Sequence, residues 1–207
     1  MVHVAITPLP VRRGYHHGAL RAALIRAGGE LISEVGVANF SVAAAARRVG
    51  VSSGAPYRHF PDREALLAAV AVEASKQIID RYHQAMHARA DPVEQLVGAA
   101  IAYVRLSSED GGGFGVVYSD EIDNAKHQEL LASRREITDL LLTPCVQVAP
   151  SYEDAVALVE AYGALVHGFA ALLRDRAFGN RAAGVYDRAA TAARKLIAGY
   201  ATGAASG

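Results

Sequence analysis

The chain has 207 residues, 52% of them hydrophobic and 20% charged, and its 21 Lys and Arg balance 21 Asp and Glu. That length and apolar content suffice for a substantial core in one large domain or two smaller ones. The single cysteine, Cys145, excludes an intramolecular disulfide, and nothing resembles a signal peptide or an uninterrupted apolar run of about twenty residues, so a cytoplasmic protein without a membrane span is expected.

The zero net charge conceals an asymmetry. Residues 1–64 hold 8 Arg and Lys against 4 Asp and Glu, which leaves +4 there and −4 in the remainder. The first 14 residues, with Pro8, Pro10, Arg12 and Arg13 and no periodicity, read as a flexible arm. Arg12 and Arg13 fit either a solvated tail that touches phosphates or insertion into a minor groove. Tyr15-His16-His17-Gly18 then opens an amphipathic helix, HGALRAALIRAGGELISEVG, where His17 either caps the helix or meets a phosphate at its N-terminus.

Residues 41–60, SVAAAARRVGVSSGAPYRHF, carry two short helices joined by a Gly-Val turn. Ser41 is placed to cap the first, and Val42, Ala45, Ala46 and Val49 form its apolar stripe. Gly50 is suited to the positive φ that ends it, and Val51 turns back to the core. Ser52 would cap a second helix of about two turns ending at Phe60-Pro61, with Pro56 at its first turn or edge. This second helix presents small residues first, Ser53, Gly54 and Ala55, and Tyr57, Arg58 and His59 behind them. A helix that enters a groove needs a slim end near the base edges and donors behind it for phosphates.

Residues 17–67 resemble the N-terminal DNA-binding domain of the TetR/AcrR family of bacterial transcriptional regulators. The resemblance runs through the amphipathic helix, Phe40-Ser41-Val42, Ala46 to Val51, Ser52-x-Gly54, Tyr57-Arg58-His59-Phe60 and Arg63-Glu64-x-Leu66-Leu67. It departs at Ala55, where many members carry Thr or Ser, and at Pro56, where they carry an aliphatic residue. It implies DNA contacts by Ser41, Ser52, Ser53, Gly54, Ala55, Tyr57, His59 and Arg63.

Beyond Phe60, Asp62 opens a long helix expected to reach about Ala90, and Val93 to Ser107 forms another. Glu109-Asp110 and the glycines 111–113 form a loop, since no Gly-Lys-Ser/Thr follows to make a phosphate cradle. A helix from Asn124 to about Leu142 should end at Pro144. Two more should span Tyr152–Arg176 and Arg181–Tyr200, before a disordered tail at 201–207. The family resemblance implies that these last two helices form a four-helix bundle with a second subunit, and the sequence supports a buried face on both. Residues 162–173, YGALVHGFAALL, also resemble the Val/Leu-His-Gly signature of one TetR subgroup, although the tryptophan of that signature is absent.

His83 and His87 have the i, i+4 spacing of a zinc pair, to which Asp120, Glu121, Asp123 and His127 could add ligands, but no Glu follows His83 directly, acids of that density usually form a solvated face, and no metal is expected. His167, on an apolar face, reads as a core histidine that meets a carbonyl or a partner residue, and Cys145 as inert packing. The expected protein is therefore all-α: an arm at 1–14, a three-helix helix-turn-helix domain at 15–64, a helical ligand-binding and dimerisation domain at 65–200, and the tail. It would be a non-enzymatic, cofactor-free homodimer joined through residues 151–200. It would bind a near-palindromic double-stranded DNA operator and leave it when a small, mainly apolar effector binds. Tyr103, Phe114, Tyr118, Tyr162 and Phe169 are the candidate effector walls, and the glycines at 111–113 a mobile edge. The alternative is a small-molecule-binding or catalytic protein of the same fold that has lost sequence-specific DNA binding.

Overall fold

The computed structural model describes residues 17–109, 114–123, 125–179 and 183–202. The arm, the glycine run, Arg181 and the tail from 203 lie outside them. Helix α1, His17–Val35, buries Leu24, Ile25, Leu31 and Ile32 on one side and stops at Gly36, whose φ of 79° places it in the left-handed region. Helix α2, Val42–Val49, has Ser41 as its N-cap: the hydroxyl accepts from the Ala44 N–H at 3.1 Å. Gly50, with φ of 78°, ends it, and its N–H donates to the Ala46 and Arg47 carbonyls.

The second helix of the pair departs from expectation. Only Pro56–Arg58 is helical, as a single 3-10 turn. An α-helix starting at Ser52 would need the N–H of residue 56 to reach the Ser52 carbonyl; proline has no N–H, and its ring collides with that carbonyl. Ala55 donates to the Ser52 carbonyl instead, at 3.0 Å, so Ser52 closes the turn through its backbone rather than capping with its hydroxyl. His59 and Phe60 both donate to the Pro56 carbonyl, at 2.9 and 3.0 Å.

Helix α3, Arg63–His87, starts at Asp62, whose carboxylate accepts from the Ala65 N–H at 2.7 Å. Its first part, through Val72, packs with α1, α2, Phe40 and Phe60 in an N-terminal core. From Ala74 onward it packs in a second core with α4, Pro92–Glu109, α6, Gln128–Val148, α7, Tyr152–Arg174, and α8, Val185–Thr202. The boundary expected after residue 64 is thus a handover inside one continuous helix. Between α4 and α6, the short α5, Phe114–Val117, sends Val116 into the N-terminal core, together with Ile122 and Leu130.

Pro144 does not end α6, which starts at Gln128 and continues to Val148. A proline inside a helix costs about 3 kcal/mol through the lost bond to the i−4 carbonyl, here that of Leu140. Burial of Leu141, Pro144 and Cys145 on the face already occupied by Ile137 outweighs that cost. Helix α8 begins at Val185, just after Gly184 with its φ of 72°.

Candidate DNA-facing surface and effector cavity

Pro56 and Phe60 are buried and anchor the turn, with the Arg21 guanidinium 5.4 Å over the Phe60 ring. Before and between these anchors the chain faces outward. Ser52, Ser53, Gly54, Tyr57 and Arg58 are exposed, Tyr57 by 55%, while Ala55 and His59 are half-buried. Ser41 and Arg47 are exposed at opposite ends of α2. Arg48 is held by Glu34 at 2.7 and 2.9 Å, which ties α2 to α1 and keeps the Glu34 carboxyl below the usual carboxylate range.

Arg63 is occupied within the chain. Its guanidinium donates to the Phe40 carbonyl at 3.0 Å, to the Val37 carbonyl at 2.6 Å and to Glu121 at 2.6 Å. The next residue, Glu64, accepts from the Asp123 backbone N–H at 3.0 Å and lies 3.2 Å from His127 Nε2. The first turn of α3 is therefore bonded on one side to the loop before α2 and on the other to the segment before α6. The sequence pattern that marks Arg63 and Glu64 does not announce these bonds, which span 58 and 59 residues.

A cavity of about 560 Å³ opens between α3, α4, α6 and α7. Its apolar wall includes Ile137, Leu141, Val159 and Val166, and its polar groups belong to Tyr82, Tyr103, Tyr118, Thr138, Glu160 and His167. The Tyr103 hydroxyl and His167 Nδ1 are 3.0 Å apart. Tyr118 stands edge-on to the His167 ring at 6.3 Å, and the Arg134 guanidinium lies 5.8 Å from the centre of the Tyr118 ring. Arg134 Nε also donates to the Val117 carbonyl at 2.5 Å. Burial raises the Tyr103 and Tyr118 hydroxyls above the usual tyrosine range. Burial, and then the nearby Arg174, lower His167. The Tyr103, Tyr118 and His167 side chains are thus neutral at pH 7.

Of the five aromatic residues expected as walls, Tyr103 and Tyr118 line this cavity. Tyr162 does not: it is fully buried, and its hydroxyl donates to the Leu96 carbonyl at 2.6 Å. Phe169 stacks on Phe178 instead, at 5.9 Å. Phe114 packs edge-on against Tyr103 and lines a separate cleft of about 480 Å³ with Ile32, Ser33, Val37, Ser107 and Arg174. Tyr82 and His167 were not anticipated as walls. The i, i+4 step from Gly163 to His167 places His167 on the cavity side of α7, but only the position of α4 reveals that side.

His83 and His87 are exposed, and among the described residues no three His, Cys, Asp or Glu side chains gather as metal ligands. Cys145 is buried, which pushes its thiol up to about 12.

Residues 24–70 match the family model of bacterial regulatory proteins, tetR family. No curated protein matches the chain. Among solved structures, a protein of unknown function from Rhodococcus sp. RHA1 aligns with a TM-score of 0.73 at 24% identity, over 92% of this chain and all of that one. A regulatory protein in the tetR family from Rhodococcus RHA1 gives 0.68 at 16% identity, over 86% and 96% of the two chains. A TetR variant from Acinetobacter baumannii AYE in complex with minocycline gives 0.61 at 21% identity, over 89% and 96%. These likenesses extend the shared fold over both the N-terminal unit and the larger helical domain.

Proposed function

We propose that this chain, whose residues 24–70 match the family model of bacterial regulatory proteins, tetR family, is a DNA-binding transcriptional regulator, and that it is a repressor released by a small, mainly apolar effector. The observation that carries the effector part is the continuity of residues 114–123. At one end Tyr118 forms part of the cavity wall; a few residues on, Glu121 bonds Arg63, Asp123 bonds Glu64, and Ile122 enters the N-terminal core. A ligand that displaces Tyr118 shifts a segment bonded to the helix-turn-helix unit. Its effect on DNA affinity equals its preference for the DNA-incompetent arrangement. Minocycline, bound by the Acinetobacter baumannii protein of this fold, is one example of a relative's small-molecule ligand.

On this reading Ser53, Gly54 and Ala55 face base edges, and Tyr57 and His59 hold phosphates, with Ser41 and Ser52 at the flanks. Arg63 acts indirectly, by fixing the loop ahead of α2. The unit spans residues 15–64 in its DNA-facing role, and residues 65–200 hold the effector and the dimer contact. Two copies join through α7 and α8, which places two recognition turns on successive major grooves of a near-palindromic site. Support comes from α7: by length and composition it is apolar enough to cross a membrane, yet only 28% of its most apolar stretch is buried within the chain. Val156 and Leu172 are 36% and 47% exposed on it. A second copy would cover that surface.

The test begins by selecting bound fragments from a random DNA pool and measuring affinity against salt. Binding should weaken steeply as salt rises, through counterion release. Tyr57→Phe should weaken every selected site alike. Were it to change the preferred base while nonspecific affinity stayed intact, the phosphate assignment would be wrong. Sedimentation should show about twice the 21.8 kDa chain mass, and a lone monomer that still binds the selected DNA would overturn the dimer.

A further inference from the structure

The cavity between α3, α4, α6 and α7 also constrains what enters it, and the argument rests on the effector reading above. A cavity of about 150 Å³ is enough for a benzene ring, so 560 Å³ admits two or three fused rings or one ring with substituents. Four of its wall residues are themselves rings: Tyr82, Tyr103, Tyr118 and His167. The Tyr103 ring is tilted against Tyr82 and His167, each 6.4 Å away, and Tyr118 meets His167 at an interplanar angle of 89°. A wall of ring faces and edges favours a flat aromatic guest, through offset and edge contacts worth more than area alone.

Charge narrows the class further. Among the described residues no Lys or Arg lines the cavity, and Glu160 puts an acidic side chain in its wall, which disfavours an anion. Arg134 lies behind Tyr118, where it is bonded to the Val117 carbonyl. A guest carboxylate would lose its hydration with no cation in the wall to receive it, because Arg174, near enough to lower His167, does not line the cavity. A hydroxyl, in contrast, has a place to bind. In the Nε2–H tautomer of neutral His167, Nδ1 accepts from the Tyr103 hydroxyl across their 3.0 Å contact, which leaves the Tyr103 oxygen able to accept from a guest hydroxyl. The resulting chain, guest O–H to Tyr103 to His167, strengthens along its length.

We propose that this cavity takes an uncharged hydroxylated aromatic of one to three rings, with its hydroxyl donating to Tyr103 within the Tyr103–His167 pair.

The experiment uses the full chain and three probes of one ring system, 2-naphthol, naphthalene and 2-naphthoate, in titration calorimetry. 2-Naphthol should bind about tenfold more tightly than naphthalene, the gain expected of one net hydrogen bond, and 2-naphthoate more weakly than either. Tyr103→Phe keeps the ring and should abolish the preference for naphthol over naphthalene. Its melting curve shows whether it folds, and His167→Phe, which should reduce the same preference, serves if it does not. Binding of 2-naphthoate as tight as that of 2-naphthol, a naphthol preference that survives in the folded variants, or no binding by any probe would overturn the proposal. Fluorescence anisotropy of labelled, selected DNA in the same titrations separates the two readings. If 2-naphthol binds with the stated preference and DNA stays bound, the hydroxyaromatic site stands and the release mechanism fails.

Discussion

The two cores of this chain differ in what they enclose. Among the described residues, the N-terminal core buries Phe40 and Phe60 among aliphatic side chains and includes no tyrosine. The second core encloses Tyr82, Tyr103 and Tyr162. A ring without a polar end can only pack, whereas a buried hydroxyl must find a partner, and the partner decides how adaptable the place is. Tyr162 is fixed to a helix carbonyl, that of Leu96. Tyr103 bonds the side chain of His167 at the edge of a cavity, a partnership that can be rearranged. One core suits a surface whose shape must not change, the other a wall that responds to a guest.

The strongest way to break this contrast lies at Arg63. Its removal leaves the Val37 and Phe40 carbonyls without their donor and frees Glu121. Arg63→Ala should cost roughly 2–3 kcal/mol and lower the melting temperature by about 5–10 °C. DNA affinity should fall across all sequences. An unchanged melting curve would show that the loop before α2 holds its shape without the clamp.

Next in size is Gly28, where α1 crosses α3. A Cβ placed there would come 2.8 Å from Val70 Cγ2, a branched side chain with little freedom to yield. Gly28→Val should therefore destabilise by about 1–3 kcal/mol in chemical denaturation, through overpacking. A stable variant would mean that the N-terminal core adapts as readily as the second.

A smaller effect is expected on the cavity side, as a dependence on pH. Burial and Arg174 hold His167 below the ordinary histidine value of about 6.5. The unfolded chain thus takes up a proton near pH 6.5 that the folded chain accepts only at lower pH. Stability should fall as pH drops through that interval and level off below the folded value. His167→Phe should make the acid-side decline shallower by one proton's worth. The smallest effect belongs to Glu34→Gln, which weakens an exposed ion pair with Arg48 and should leave the denaturation midpoint unchanged within error.

Features fixed by neighbouring residues were legible in the sequence. The Ser41 cap, the positive φ of Gly50 and the Asp62 start of α3 each depend on atoms within a few positions. Pro56 and Pro144 show where such reasoning gives way. Pro56, read as harmless at a helix edge, reduces the recognition segment to a 3-10 turn; Pro144, read as a terminator, stays inside α6 because the buried face there outweighs one lost bond. The cavity was legible only in part, because Tyr82, Tyr103, Thr138 and His167 come from four helices and share no local pattern. Tyr162 and Tyr103 are chemically alike in the sequence, and only the position of the Leu96 carbonyl separates the structural tyrosine from the wall residue.

The placement of Val116, Ile122 and Leu130 in the N-terminal core has a consequence for dissection of the protein. Cutting α3 at Glu73, between the parts that serve the two cores, looks like a natural way to obtain a stand-alone reader or to graft it onto a relative. Such a fragment would lose Val116, Ile122 and Leu130, a roof over the core it retains, and would expose an apolar patch to solvent. An autonomous reader needs that roof rebuilt, and a chimera must take the segment around residues 114–130 from the same parent as the helix-turn-helix.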